Sequence, residues 1–160
     1  MSNLEHPIRQ SRRNVLAGAA ALIGLHAVRA TAASTTAIQV WKDPSCGCCN
    51  DWIDHLQQNG FSVQASNEGN NGARHRLGLP RRYASCHTAR VQGYVVEGHV
   101  PAADIRRLLR EKPAALGLAV PGMPVGSPGM DGPVYEGRRD PHDVLLVQRD
   151  GTATVFSSYR

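Results

Sequence analysis

The stretch Trp41-Lys42-Asp43-Pro44-Ser45-Cys46-Gly47-Cys48-Cys49-Asn50-Asp51-Trp52 holds three of the chain's four cysteines within four positions. Cys46 and Cys49 stand in C-x-x-C spacing, the arrangement of a thiol–disulfide catalyst. Two thiols suffice for that chemistry, so Cys48 is surplus. Pairing the vicinal Cys48 and Cys49 would strain the peptide between them. A purely structural set of disulfides would therefore be Cys46–Cys49 with Cys48–Cys86. Adjacent thiolates rarely reach one ion together, and more readily bridge neighbouring ions. The cluster thus fits either disulfide chemistry with a spare thiol or a thiolate–metal site of more than one ion.

The elements around the cluster can be read from periodicity. Ala37-Ile38-Gln39-Val40-Trp41 is a short β-like run that ends at Asp43-Pro44. A helix is predicted from about Ser45/Cys46, with Cys49, Trp52, Ile53 and Leu56 on one apolar face and Gly60 as its stop. Phe61 to Ala65 alternates as a second strand. Ser66 to Gly72 reads as a polar loop, and Ala73 to Leu79 as a short helix stopped by Pro80. Ala89 to Glu97 reads as two strands turning at Gln92-Gly93. Pro101 opens a helix that turns Ile105, Leu108 and Leu109 inward and ends at Pro113. The order β-α-β-α-β-β-α is the thioredoxin/glutaredoxin arrangement, with the C-x-x-C on the first strand-to-helix turn. Unpaired backbone N–H groups and the helix dipole stabilise a thiolate there, and a thiolate is both a nucleophile and a soft-metal ligand.

Beyond this frame, Gly117 to Gly132 reads GLAVPGMPVGSPGMDG. Proline and glycine at that density predict an irregular loop with neither helix nor central strand. It carries Met123 and Met130. Asp143 to Tyr159 is predicted as a hairpin turning at Asp150-Gly151, placed to extend the sheet. The expected fold class is therefore α/β, with the Pro/Gly/Met-rich loop and a C-terminal hairpin added.

In the glutaredoxin plan, the loop before the third strand touches the C-x-x-C and usually carries a cis-proline that keeps metals off the cysteines. If Gly93 is the following turn, the run SCHTARVQG lays Cys86-His87 on that loop. A thiol and an imidazole then stand where proline is usual. The expected pocket holds Cys46, Cys48, Cys49, Cys86 and His87, with Met123 and Met130 over it. Thiolate, thioether and imidazole together favour Cu(I). Zinc is compatible with three cysteines and a histidine, but a structural zinc site normally shows two separated ligand pairs.

The motifs PSCGCCNDW, SCHTARVQGYVVEGHVP and GLAVPGMPVGSPGM resemble the CopG-like copper-resistance family, long catalogued as a domain of unknown function. The resemblance runs from about Ile38 to Tyr159. It implies a periplasmic thioredoxin-fold protein that binds copper through its cysteines, with oxidoreductase activity between Cu(I) and Cu(II). It carries over Cys46, Cys48, Cys49, Cys86 and His87 as ligands, together with Met123 and Met130. Cys46 and Cys49 would also be the redox pair, and other periplasmic copper-handling proteins would be partners.

The N-terminal segment reads separately. Ser11-Arg12-Arg13-Asn14-Val15-Leu16 resembles a twin-arginine export signal, with Val15 where Phe is usual. The apolar run Val15 to Val28 is 14 residues long, short of the ~20 residues that span a bilayer, and Ala30-Thr31-Ala32 is an A-x-A cleavage site. Residues 1–32 are expected to be a cleaved signal and 33–160 a single domain, with no membrane span left. From Ala33 onward, 14 Lys and Arg face 12 Asp and Glu, a net charge of +2 instead of the +5 of the whole chain. No basic run with interleaved aromatics survives, which argues against nucleic-acid binding. The cluster Arg74, Arg76, Arg81 and Arg82 is explained by a solvated face.

Plainer roles compete at several positions. His99 could bind metal at the rim but is expected to make loop hydrogen bonds, and His55, His75 and His142 to lie on the surface. Asp43 and Glu97 read as surface acids, and Trp41 and Trp52 as core, with Trp52 shielding the site. Met123 and Met130 serve equally well as gap-fillers or copper-capturing thioethers. Two functions rival a copper redox protein: a metal-free thiol–disulfide oxidoreductase using Cys46 and Cys49, and a passive copper chaperone.

Overall fold

The computed structural model describes residues 35–160; the expected signal segment lies outside the described residues. Ten elements follow in order: β1 (Thr36–Lys42), α1 (Gly47–Gln58), β2 (Phe61–Ser66), α2 (Asn71–Arg76), β3 (His87–Val91), β4 (Tyr94–Glu97), α3 (Ala102–Glu111), β5 (Gly117–Ala119), β6 (His142–Val147) and β7 (Ala153–Tyr159). The first seven follow the predicted order. All strands join one sheet, ordered β2-β1-β3-β4-β5-β6-β7. β1 pairs parallel with β2 and antiparallel with β3, while β5 lies parallel to β4 and antiparallel to β6. No helix among the described residues is long and apolar enough to cross a membrane.

Local chemistry accounts for the boundaries. Asp43 accepts the Ser45 N–H (2.9 Å) and hydroxyl (2.6 Å), folding the turn that follows β1, and Cys46 becomes the residue before α1. Cys49, Trp52 and Leu56 are fully buried along α1. Gln92 and Gly93 both take positive φ (46° and 89°), the backbone that a two-residue hairpin turn with the right twist demands. The hairpin β6–β7 turns through Asp150-Gly151, where Asp150 accepts the Thr152 N–H (2.9 Å).

Two cores sandwich the sheet. Trp52 and Leu56 of α1 and Ile105 and Leu108 of α3 pack with Ile38, Val40, Ala89, Val96 and Leu118. Leu79 and Tyr83 pack with Val95, Ala119 and Val147. Val95 and Val96 are consecutive, as are Leu118 and Ala119, so each pair sends one side chain to each face.

The sheet is larger than the sequence predicts. Gly117-Leu118-Ala119, expected within an irregular loop, is a buried central strand between β4 and β6. It ends before Pro121, so no proline interrupts its ladder. Gly117 makes it possible, because a Cβ there would overlap the Val95 carbonyl. Gly117→Ala is expected to cost about 3 kcal/mol of stability through this overpacking. A Cβ at Gly132 would meet nothing within 4 Å, so Gly132→Ala should stay within about 0.5 kcal/mol of the parent. Urea unfolding midpoints of the two variants check both values.

Candidate metal centre

Strand register assembles the site. β1 and β3 pair so that Lys42 lies opposite His87. β1 then runs directly into the Asp43–Cys46 turn, and the residue before His87 is Cys86. The antiparallel pairing therefore lays Cys86 beside the start of α1. On the other side of β3, Thr88 pairs with Glu97, which brings Gly98 and His99 back to the same end of the sheet.

Cys46 and Cys49 form a disulfide with Cα atoms 5.3 Å apart, while Cys48 and Cys86 are free. Cys48 Sγ lies 3.7 Å from Cys46 Sγ, and Cys49 Sγ lies 3.8 Å from the Cys86 carbonyl oxygen. The four sulfurs fall within 4.8 Å of one another. Cys86 Sγ also meets His99 Nε2 at 3.1 Å and His87 Nδ1 at 3.3 Å. Cys86, His87 and His99 form a second group with the same mutual reach. Cys86 belongs to both groups.

The imidazoles are set as neutral donors. His99 Nδ1 donates to the Pro128 carbonyl (2.8 Å), an acceptor only, so Nε2 faces Cys86 with its lone pair free. His87 is fully buried, tilted against Trp52 with ring centroids 4.2 Å apart. Its Nε2 has no hydrogen-bond partner among the described residues. Burial, and secondarily the neighbouring His99, push His87 down to about 3. Burial also lowers His99, against the opposing pull of the Pro128 carbonyl, Asp131 and Asp51. Burial and the adjacent Cys48 push the Cys86 thiol up to about 12, so it keeps its proton until a cation displaces it.

The Pro/Gly loop packs against the helix start. Gly129 touches it so closely that a Cβ would fall 2.6 Å from the Cys48 carbonyl oxygen and 2.7 Å from the Trp52 nitrogen. Met130, on this loop, is buried, and its sulfur accepts from the Tyr135 hydroxyl at 3.2 Å. Met123 is 51% exposed. The two thioethers expected over the pocket thus differ: one is packed beneath the loop and the other is open to solvent.

Several plainer expectations change. His99 makes the expected loop hydrogen bond, to Pro128, and is also fully buried within the cluster instead of standing at its rim. Its signal is present in the hairpin arithmetic, since a turn at Gln92-Gly93 pairs 88 with 97 and returns 99 beside 86. Glu97 is fully buried, ion-paired at 2.8 Å with Arg74, which is itself buried instead of solvated. His55 is half-buried and accepts the Ala102 N–H (3.1 Å) at the start of α3. His142 is half-buried and stacks on Tyr159. His75 and Asp43 are exposed, as expected, and Trp41 and Trp52 are core.

Comparison with known proteins adds a family. The family described as "Protein of unknown function, DUF411" matches residues 83–130. Two solved structures are similar, titled "Copper resistance protein copG- Form 2" and "Copper resistance protein copG- Form 1". They are 48% and 49% identical, each with a TM-score of 0.72, covering 78% of this chain and 98% of theirs. No curated protein matches.

Neutral buried histidines make the metal-free protein acid-sensitive. The unfolded chain takes up a proton at His87 near 6.5, whereas the folded chain resists until about 3. Stability is complete above the upper value and drains as pH falls toward the lower one, by about 1.4 kcal/mol per pH unit for one histidine. His99 and His55, also lowered by burial, add the same sign. Urea midpoints of metal-free protein should fall between about pH 7 and about pH 5, with a shallower slope in His87→Gln.

Proposed function

This chain belongs to the CopG-like copper-resistance family, and on that premise we propose that it holds Cu(I) in a polynuclear Cys/His site and cycles copper against the Cys46–Cys49 disulfide. That it is a copper-handling protein follows from the family and from its clustered cysteines and histidines. One observation carries the finer reading: the Cys86 sulfur belongs to both ligand groups. A thiolate has several lone pairs and bridges ions readily, so a shared sulfur suits neighbouring copper ions better than one isolated ion.

The residues present fit such a cargo. Soft thiolates with imidazole favour Cu(I) over harder cations. Among the described residues, His87 Nε2 is a buried nitrogen without a partner, which is costly unless something occupies it. We propose Cys46, Cys48, Cys49, Cys86, His87 and His99 as the ligands. Met123, the exposed thioether, serves delivery at the loop, while Met130 is packed against Tyr135.

The redox step balances on the disulfide. Two Cu(II) ions each take one electron from the Cys46 and Cys49 thiolates. The sulfur–sulfur bond closes, and two Cu(I) result. Cys48, Cys86, His87 and His99 remain as donors for Cu(I) after closure. A periplasmic dithiol returns two electrons and reopens the pair. In this reading the arrangement is thioredoxin-like, with the pair at the start of α1, where the N-terminal dipole favours thiolate. In this reading residues 1–32 are a twin-arginine signal, cleaved on export, and residues 33–160 act in the periplasm as one domain.

The disulfide itself favours a second reading, a metal-free thiol–disulfide oxidoreductase. The two separate cleanly. Reduced protein titrated with Cu(I) against a chromophoric chelator should bind more than one ion per chain. Cys48→Ser/Cys86→Ser should lose at least about half of that load. An unchanged load in the double variant, or no binding by the parent, would overturn the copper site. Insulin reduction by metal-free protein would then favour the second reading.

A further inference from the structure

The loop that presents Cys86 has no proline to shape it; it reads Ala84-Ser85-Cys86. We propose that Arg74 and Glu97 are positioning residues whose buried ion pair clamps the Ser85 peptide at both its N–H and its carbonyl, fixing the Cys86 sulfur where the two ligand groups meet. The consequence for copper rests on the function proposed above; the clamp itself does not.

The contacts converge on one peptide. Glu97 Oε1 accepts the Ser85 N–H at 2.7 Å. The same oxygen accepts Arg74 Nε at 2.8 Å and lies 2.8 Å from Nη2. Arg74 Nη2 also donates to the Ser85 carbonyl at 2.7 Å. Asn70 Nδ2 adds a weaker donor to that carbonyl at 3.1 Å. Around the pair, Thr88 Oγ1 donates to Glu97 Oε2 (2.6 Å) and Arg74 Nη1 donates to Asn71 (2.7 Å). Glu97 comes from the end of β4 and Arg74 from α2. The loop runs between them, and the next residue is the shared cysteine.

A buried ion pair is a poor device for stability alone, because apolar residues of similar volume often serve as well or better. What such residues could not supply is a donor and an acceptor for one half-buried peptide. The planar guanidinium fork can hold a carboxylate and a carbonyl at once, which a lysine ammonium does less well. Without the pair, the half-buried Ser85 N–H loses its partner, and an unpaired donor there drives the loop toward water.

Two readouts test the clamp. Metal-free protein with the 46–49 disulfide intact has two free thiols, Cys48 and Cys86. A pulse of iodoacetamide followed by peptide mass spectrometry gives the Cys86 rate relative to Cys48, an internal reference in the same molecule. In Arg74→Met/Glu97→Leu, which removes both charges together, this ratio should rise about tenfold as the loop opens, and Cu(I) bound per reduced chain should fall. Thr88→Val weakens the network without releasing Ser85; it should lower the urea midpoint and leave ratio and load as in the parent.

A folded double variant with the parent's ratio overturns the clamp, whatever its copper load. A raised ratio in a protein whose parent binds no copper upholds the clamp and overturns the copper reading. If the double variant does not fold, Arg74→Lys carries the test in the same way. It keeps a charge opposite Glu97 but lacks the fork, and a parental ratio there overturns the proposal.

Discussion

The antiparallel pairing of β1 with β3 is the constraint on which the site depends. It sets Lys42 against His87, and every close approach among the sulfurs follows from that register. A slip of one residue would turn His87 to the opposite face of the sheet. The register is held by burial on both faces. Ile38, Val40, Ala89 and Val91 belong to the core under α1 and α3, and Thr88 faces the Glu97 network instead.

The same core keeps the site dry on its inner side. Trp52 donates its indole N–H to the Val100 carbonyl (2.9 Å) and lays its ring against His87. Burial there disfavours imidazolium, so the histidines present lone pairs instead of charge. Polar order in this interior comes from fixed partners: Pro128 sets the His99 tautomer, and the Arg74–Glu97 pair grips the Ser85 peptide. The outer side is the Pro/Gly loop, whose Gly129 can approach the helix start because it has no side chain. Donors are thus oriented before any ion arrives, which lowers the ordering cost of binding.

Where sequence reasoning fell short, a long-range partner was responsible. The density of glycine and proline hid β5, because three residues give no periodicity and their strand exists only through pairing on both sides. Arg74 and Glu97 each look like surface charges in isolation, and 22 intervening residues separate them. Burial became tolerable only because each neutralises the other. His99 was legible from the hairpin turn, yet its neighbours Gly98 and Pro101 equally suit a plain loop.

The sequence by itself determined what periodicity and turn chemistry can carry: the strand and helix order through α3, the turn at Gln92-Gly93, the hairpin at Asp150-Gly151, and the convergence of Cys86-His87 on the C-x-C-C cluster. Those features are written in contacts between near neighbours, together with one strand-pairing rule. Tertiary structure alone decided that β5 joins the sheet and that Arg74 and Glu97 meet in the interior. It also decided that His99 closes the second ligand group and that Met130 is packed while Met123 is exposed. Each of these is fixed by which distant surfaces press together, and burial, once imposed, changes a residue's charge and partners in ways its neighbours in sequence do not encode.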